Sequence, residues 1–138
     1  MILNLNLSRN DNNNYRTWNG LSLAFVGDAV YELMVRNMLT DCSEHTVNDL
    51  HKQCVQYVNA DYQADAMERL LPLLTEEELS FYKRGRNAKT AHVPKNKSQA
   101  NYHKATGFEA LFGFLFLKGD SERLNTLFNI TVNKEDEA

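Results

Sequence analysis

Two apolar stretches constrain the fold of this chain more than any other feature. Leu21–Leu39 is too densely apolar for a surface strand and too long for a buried one, which predicts a largely buried helix. Phe108–Leu117 carries one charge in ten positions and closes a long helical pattern that begins at Ser98 and ends at Lys118-Gly119. Between them, Val47–Leu71 reads as one helix or two, closed by Pro72. Thr75 and Glu78 have the spacing of a capping box, opening a helix expected to run to Lys83 or Arg84 and stop near Gly85. A polar loop over residues 86–97 and a short helix, Ser121–Phe128, complete the reading. Two prolines and six glycines disfavour a sandwich or barrel of many turns, so the predicted fold class is all-α. The 138 residues predict one domain, 15–130, between a loose asparagine-rich arm, 1–14, and a frayed acidic tail, 131–138.

Charges are scarce inside both apolar stretches. Leu21–Val35 holds two in fifteen positions, Asp28 and Glu32, four apart on one helix face. Phe108–Leu117 holds only Glu109. A lone buried carboxylate is costly unless a cation or donors compensate it. Small residues flank each acid: Gly27 and Ala29 beside Asp28, and Gly107, Ala110 and Gly113 around Glu109. Glycine inside a helix costs roughly 1 kcal/mol relative to alanine, so it usually has a packing reason. Helices meeting at these small residues would bring Asp28 and Glu109 face to face. Two readings stay open. A divalent cation such as Mg²⁺ could relieve the repulsion with hard oxygen ligands. Alternatively, each acid pairs with a buried arginine or accepts backbone hydrogen bonds. Glu32 reads as a helix-surface acid paired with Arg36.

Other chemistry is poorly supported. His51 and Cys54 lack a second pair at zinc spacing, nothing activates Cys42 or Cys54, and there is no glycine-rich phosphate loop. Phe112, Phe114 and Phe116 read as core and subunit contact. No apolar run approaches the roughly 20 residues of a membrane span. Met1–Leu7 lacks the pattern of a signal peptide, and two reduced thiols fit a cytoplasmic location.

The net charge of −3 conceals an asymmetry. No acid lies between Glu78 and Glu109, a window holding Lys83, Arg84, Arg86, Lys89, Lys95, Lys97 and Lys104, seven of fifteen basic residues. A solvated basic face would explain this. So would a polyanion site, because His92, His103, Tyr82, Tyr102 and several amides are interleaved, a mixture suited to phosphates and sugar hydroxyls. On an acidic body such a patch favours local docking.

Phe25-Val26-Gly27-Asp28-Ala29-Val30 resembles the F-L-G-D-A-V core of the ribonuclease III signature, and Phe108-Glu109-Ala110-Leu111-Phe112-Gly113 resembles that family's second acidic motif, E-A-L-I-G. Between them, Lys83-Arg84-Gly85-Arg86-Asn87-Ala88-Lys89 and Pro94-Lys95-Asn96 are similar to the compact subclass, Mini-ribonuclease III. The likeness runs from about Gly20 to Leu117. It implies an all-α endonuclease domain that forms a homodimer and cuts double-stranded RNA with Mg²⁺. Asp28 and Glu109 would be the catalytic metal ligands. Arg84, Arg86, Asn87, Lys89, His92, Lys95, Lys97 and Lys104 would contact RNA. The resemblance points to maturation of 23S rRNA precursor ends, and leaves open a ribosomal protein that presents the substrate.

Two departures qualify this. The full-length family places a glutamate four residues before the signature aspartate and an aspartate three before the second glutamate; here Ala24 and Thr106 stand there, as in the compact subclass. Waters, backbone carbonyls or RNA phosphates would complete the metal shell. After Phe128 the chain is too short for a double-stranded-RNA-binding domain, so affinity is expected from the nuclease domain, its dimer mate or a helper. The competing expectations are a non-catalytic RNA-binding or ribosome-associated protein on the same scaffold, and a helical adaptor.

Overall fold

A short polar side chain precedes each α-helix and accepts a hydrogen bond from its first turn. In the computed structural model, which describes residues 14–41, 45–89 and 98–133, Asn19 caps α1 (Gly20–Thr40) through the Ser22 N–H at 2.8 Å. Thr46 caps α2 (Val47–Tyr57) through Asp49 at 3.1 Å. Asn59 explains why the following segment is two helices. Its Oδ1 accepts from Tyr62 N–H to open α3 (Ala60–Leu70), and its Nδ2 donates back to Val55 O at 2.9 Å and Gln56 O at 3.2 Å, closing α2. The Thr75/Glu78 capping box forms as its spacing predicts and opens α4 (Glu76–Arg86). Ser98 caps α5 (Gln99–Lys118), and Asp120 caps α6 (Ser121–Val132). No strand occurs among the described residues, and the fold is all-α.

Two helix ends differ from expectation. α4 passes through Gly85 to Arg86, because this glycine is a packing residue: a Cβ there would lie 2.5 Å from that of Ala110 on α5. α6 continues past Phe128 into the expected tail, because Tyr62 Oη and Arg69 Nη2, both on α3, donate to Thr131 O at 3.0 and 2.8 Å. Residues 134–138 and 1–13 lie outside the described residues. α5 ends as its Lys118-Gly119 signal predicts. Gly119 takes φ +83°, and the Gly119 and Asp120 N–H groups donate to Phe116 O and Leu115 O, the Schellman arrangement.

α5 is the central helix, packed against α1, α4, α3 and α6. Phe108, Leu111, Phe112 and Phe114 are fully buried. Tyr31 of α1 lies among them, edge-on to Phe108 at 4.9 Å and Phe112 at 5.6 Å, with its hydroxyl donating to Tyr57 O. Phe81 of α4 stacks on Phe114 at 3.8 Å. Phe112 and Phe114 are therefore core, as expected. The α1–α5 crossing is closer than side chains allow. A Cβ on Gly27 would fall 1.6 Å from Glu109 O, and one on Gly113 would fall 2.1 Å from Leu23 O. Among the described residues, no helix is long and apolar enough to cross a membrane.

Candidate active site

The glycine-mediated crossing determines where the acids go. Because Gly27 abuts the Glu109 backbone, Asp28 on α1 and Glu109 on α5 come side by side. Glu109 is pushed up to about 8, first by burial and then by the charge of Asp28. One group opposes this: the Gln63 amide of α3, which favours the charged carboxylate. None of these influences is a cation. Among the described residues, no arginine pairs with Glu109.

The neighbouring positions supply no further acid. Ala24 is buried one turn before Asp28, and Thr106 is buried one turn before Glu109 with its hydroxyl donating to Tyr102 O at 3.0 Å. Among the described residues, no group of three or more His, Cys, Asp or Glu could hold a metal. Glu32 pairs with Arg36 at 3.0 Å on the helix surface, as its spacing predicts.

The structure separates the basic residues that the sequence grouped together. Arg84 points inward. Its Nη1 donates to Arg16 O at 2.7 Å and Trp18 O at 3.0 Å, and its guanidinium covers the Phe81 ring at 4.4 Å. It fastens the segment before α1 to α4. Arg86 lies over Tyr82 at 5.6 Å with Nε donating to Asn87 Oδ1, while Asn87 and Lys89 are exposed at the α4 end. Lys104 is paired with Glu68 at 2.6 Å. His92, Lys95 and Lys97 lie outside the described residues.

With that geometry in place, comparison with known proteins is decisive. A family model described as "Ribonuclease III domain" matches residues 21–120. The chain belongs to the ribonuclease III family. Mini-ribonuclease 3 of Enterococcus faecalis is 45% identical over 125 residues, covering 89% of this chain and 95% of that protein. Mini-ribonuclease 3 of Symbiobacterium thermophilum is 48% identical, with 82% and 87% covered. A crystal structure of a Fusobacterium nucleatum protein superimposes with a TM-score of 0.79 at 32% identity, covering 88% of this chain and 98% of that one. Membership in the ribonuclease III family carries a reaction class, endoribonuclease, a hydrolase acting on RNA. That family is generally dependent on divalent metal and acts on double-stranded RNA.

Two features of this ribonuclease III domain escaped the sequence reading. Gln63 sits on the apolar side of α3, and the signal was available: an amide three residues before Ala66, four before Met67 and seven before Leu70, all core residues. The other is Phe25, 81% exposed, with Leu21 and Leu33 partly exposed on the same side of α1. Their spacing of four and then eight residues could have revealed a second apolar stripe, but it is hidden in a helix that is apolar nearly all round.

Proposed function

We propose that this chain is a Mg²⁺-dependent endonuclease of double-stranded RNA in which Asp28 and Glu109 hold the metal. The observation that carries this reading is an acid pair, assembled across two core helices, that no cation compensates among the described residues. The donor set fits the metal: two hard oxygen ligands whose mutual repulsion a divalent cation would remove, with few protein ligands, as suits an ion that keeps several waters. Bound there, Mg²⁺ would activate water and neutralise charge at the scissile phosphate. The protein contributes proximity, because the Gly27–Gly113 crossing holds the two helix backbones that carry the acids close together. Ala24 and Thr106 leave the remaining positions to water and phosphate oxygens.

Arg86, Asn87, Lys89 and Lys104, with His92, Lys95 and Lys97, are assigned to flanking phosphates, reading A-form shape. Arg84 supports this by holding the end of α4 in place. The stripe of Leu21, Phe25 and Leu33 suits a second copy of the chain, since apolar residues exposed together on one helix face mark interaction surfaces. A homodimer would carry two sites, each cutting one strand. Sedimentation of Phe25→Asp as a monomer, with a dimeric wild type, is the expected outcome. The substrate we assign is the 23S rRNA precursor ends, in the cytoplasm, with a ribosomal protein as a candidate presenting partner.

The test is cleavage of a plain duplex and of a structured rRNA precursor, with Mg²⁺, with EDTA, and with Asp28→Asn and Glu109→Gln. Cutting by wild type alone, abolished by chelation and by either substitution, is expected. Duplex binding without cutting on either substrate would transfer the reading to a non-catalytic RNA-binding protein.

A further inference from the structure

One polar atom beside the acid pair has no evident role. Gln63 is 3% exposed, and its Nε2 is buried with no hydrogen-bond partner. Leaving a buried donor unpaired costs on the order of 1–3 kcal/mol, so its presence among core residues requires a reason. His103 Nδ1 on α5 is likewise buried without a partner, whereas two other polar pairs between α3 and α5 are formed. Asn101 Nδ2 donates to Asp61 Oδ1 at 3.0 Å, and Lys104 reaches Glu68. Gln63 differs from them in its neighbour, the Glu109 carboxyl, whose charged form its amide favours although no well-formed bond joins the two.

We propose that Gln63 is a positioning residue of the metal site: its Nε2 donates to the Glu109 carboxylate once that carboxylate binds the metal, fixing which oxygen faces Asp28. This rests on the metal reading above. It gives the unpaired donor a partner and supplies the orientation that a site with only two carboxylates otherwise lacks. Hydrogen-bond partners of this kind typically change metal affinity by about 10–100-fold when removed.

The test is calorimetric titration of Mg²⁺ into the full chain, wild type, Gln63→Met and Gln63→Leu, with thermal unfolding of the same metal-free proteins. Both variants should bind Mg²⁺ about 10–100-fold more weakly, while the metal-free melting temperature holds or rises, because an unpaired donor has gone. Unchanged affinity in variants of a wild type that binds Mg²⁺ would overturn this proposal alone and reduce Gln63 to a packing residue. A wild type that binds no Mg²⁺, or binds it equally well as Asp28→Asn, would overturn the metal reading and this proposal with it. If the variants fail to fold, the Gln63 side-chain amide resonances of the ¹⁵N-labelled wild type decide: a shift on Mg²⁺ saturation supports the contact, and unmoved resonances refute it.

Discussion

Glu78 and Glu109 are both largely withdrawn from water in the same fold, and they differ in what answers their charge. Glu78 is 4% exposed at the start of α4, where it accepts from the Thr75 N–H at 2.9 Å and from Arg123 Nε at 2.7 Å and Nη2 at 2.9 Å. Burial alone would raise its carboxyl. The Arg123 and Thr75 hydrogen bonds outweigh that and hold it below the ordinary carboxylate value. At Glu109 burial acts in the same direction, and the nearest charge, Asp28, adds to it. The first acid is answered entirely by the protein and ties α4 to α6. The second has no such cation beside it among the described residues. Strongly perturbed, uncompensated groups mark functional sites more than structural ones, and the contrast within one small core makes that inference sharper than either residue alone.

The largest effect should come from removing one member of the open pair. Asp28→Asn or Glu109→Gln should lower duplex cleavage on the order of 10³-fold, the scale of losing a preorganised partner for transition-state charge. Neither should lower the melting temperature of the metal-free protein, since Glu109→Gln removes a carboxyl that burial disfavours in its charged form and Asp28→Asn removes the charge beside it. Single-turnover cleavage with parallel thermal unfolding would check both. At the closed pair the pattern should invert. Arg123→Ala leaves Glu78 buried without its cation and should cost about 3 kcal/mol of stability, while cleavage per folded molecule stays within about twofold. Urea unfolding alongside activity would show whether the two glutamates separate in this way.

Acidity should sharpen the same contrast. Glu109 has a folded value near 8, above its ordinary 4.5, so the folded chain keeps a proton the unfolded chain has lost. That stabilising contribution is full below about 4.5 and is lost as pH rises through about 8. Glu78 has the opposite sign: its folded value is depressed, so its contribution is present above 4.5 and lost as pH falls through the depressed value. Melting curves of metal-free protein across pH should therefore lose the fall between about pH 4.5 and 8 in Glu109→Gln and the acid slope in Glu78→Gln. Swapped or unchanged slopes would break the comparison.

Much of this was readable from local spacing. Capping boxes, αL glycines and the acid-beside-glycine pattern act over one or two turns, so Thr75/Glu78, Gly119 and the Asp28–Glu109 meeting could be inferred before any coordinates. What stayed hidden depends on long-range partners. Arg84 belongs to a basic run by sequence, yet it bonds to carbonyls more than sixty residues away. The last turn of α6 looks like tail until Tyr62 and Arg69 cap its carbonyls. Gln63 and Glu109 sit on separate helices with no shared motif. The metal reading likewise rests on the family resemblance, because spacing alone favours a buried arginine or backbone hydrogen bonds.

Glu32 offers the finest test, being an acid one turn from Asp28 on the same helix. If proximity to the crossing were enough to confer function, Glu32 would share it. Instead it pairs with Arg36 at 3.0 Å, both side chains substantially exposed at 39% and 54%, so its charge is answered by a neighbour and by water. An exposed i,i+4 pair contributes about 0.3–0.5 kcal/mol. Glu32→Gln should therefore change stability by no more than about 0.5 kcal/mol. Its Mg²⁺ affinity should also match wild type, whereas Asp28→Asn loses the metal. A Glu32→Gln protein that bound Mg²⁺ tenfold more weakly would add a third carboxylate to the site and shift the boundary between answered and open acids by one helical turn.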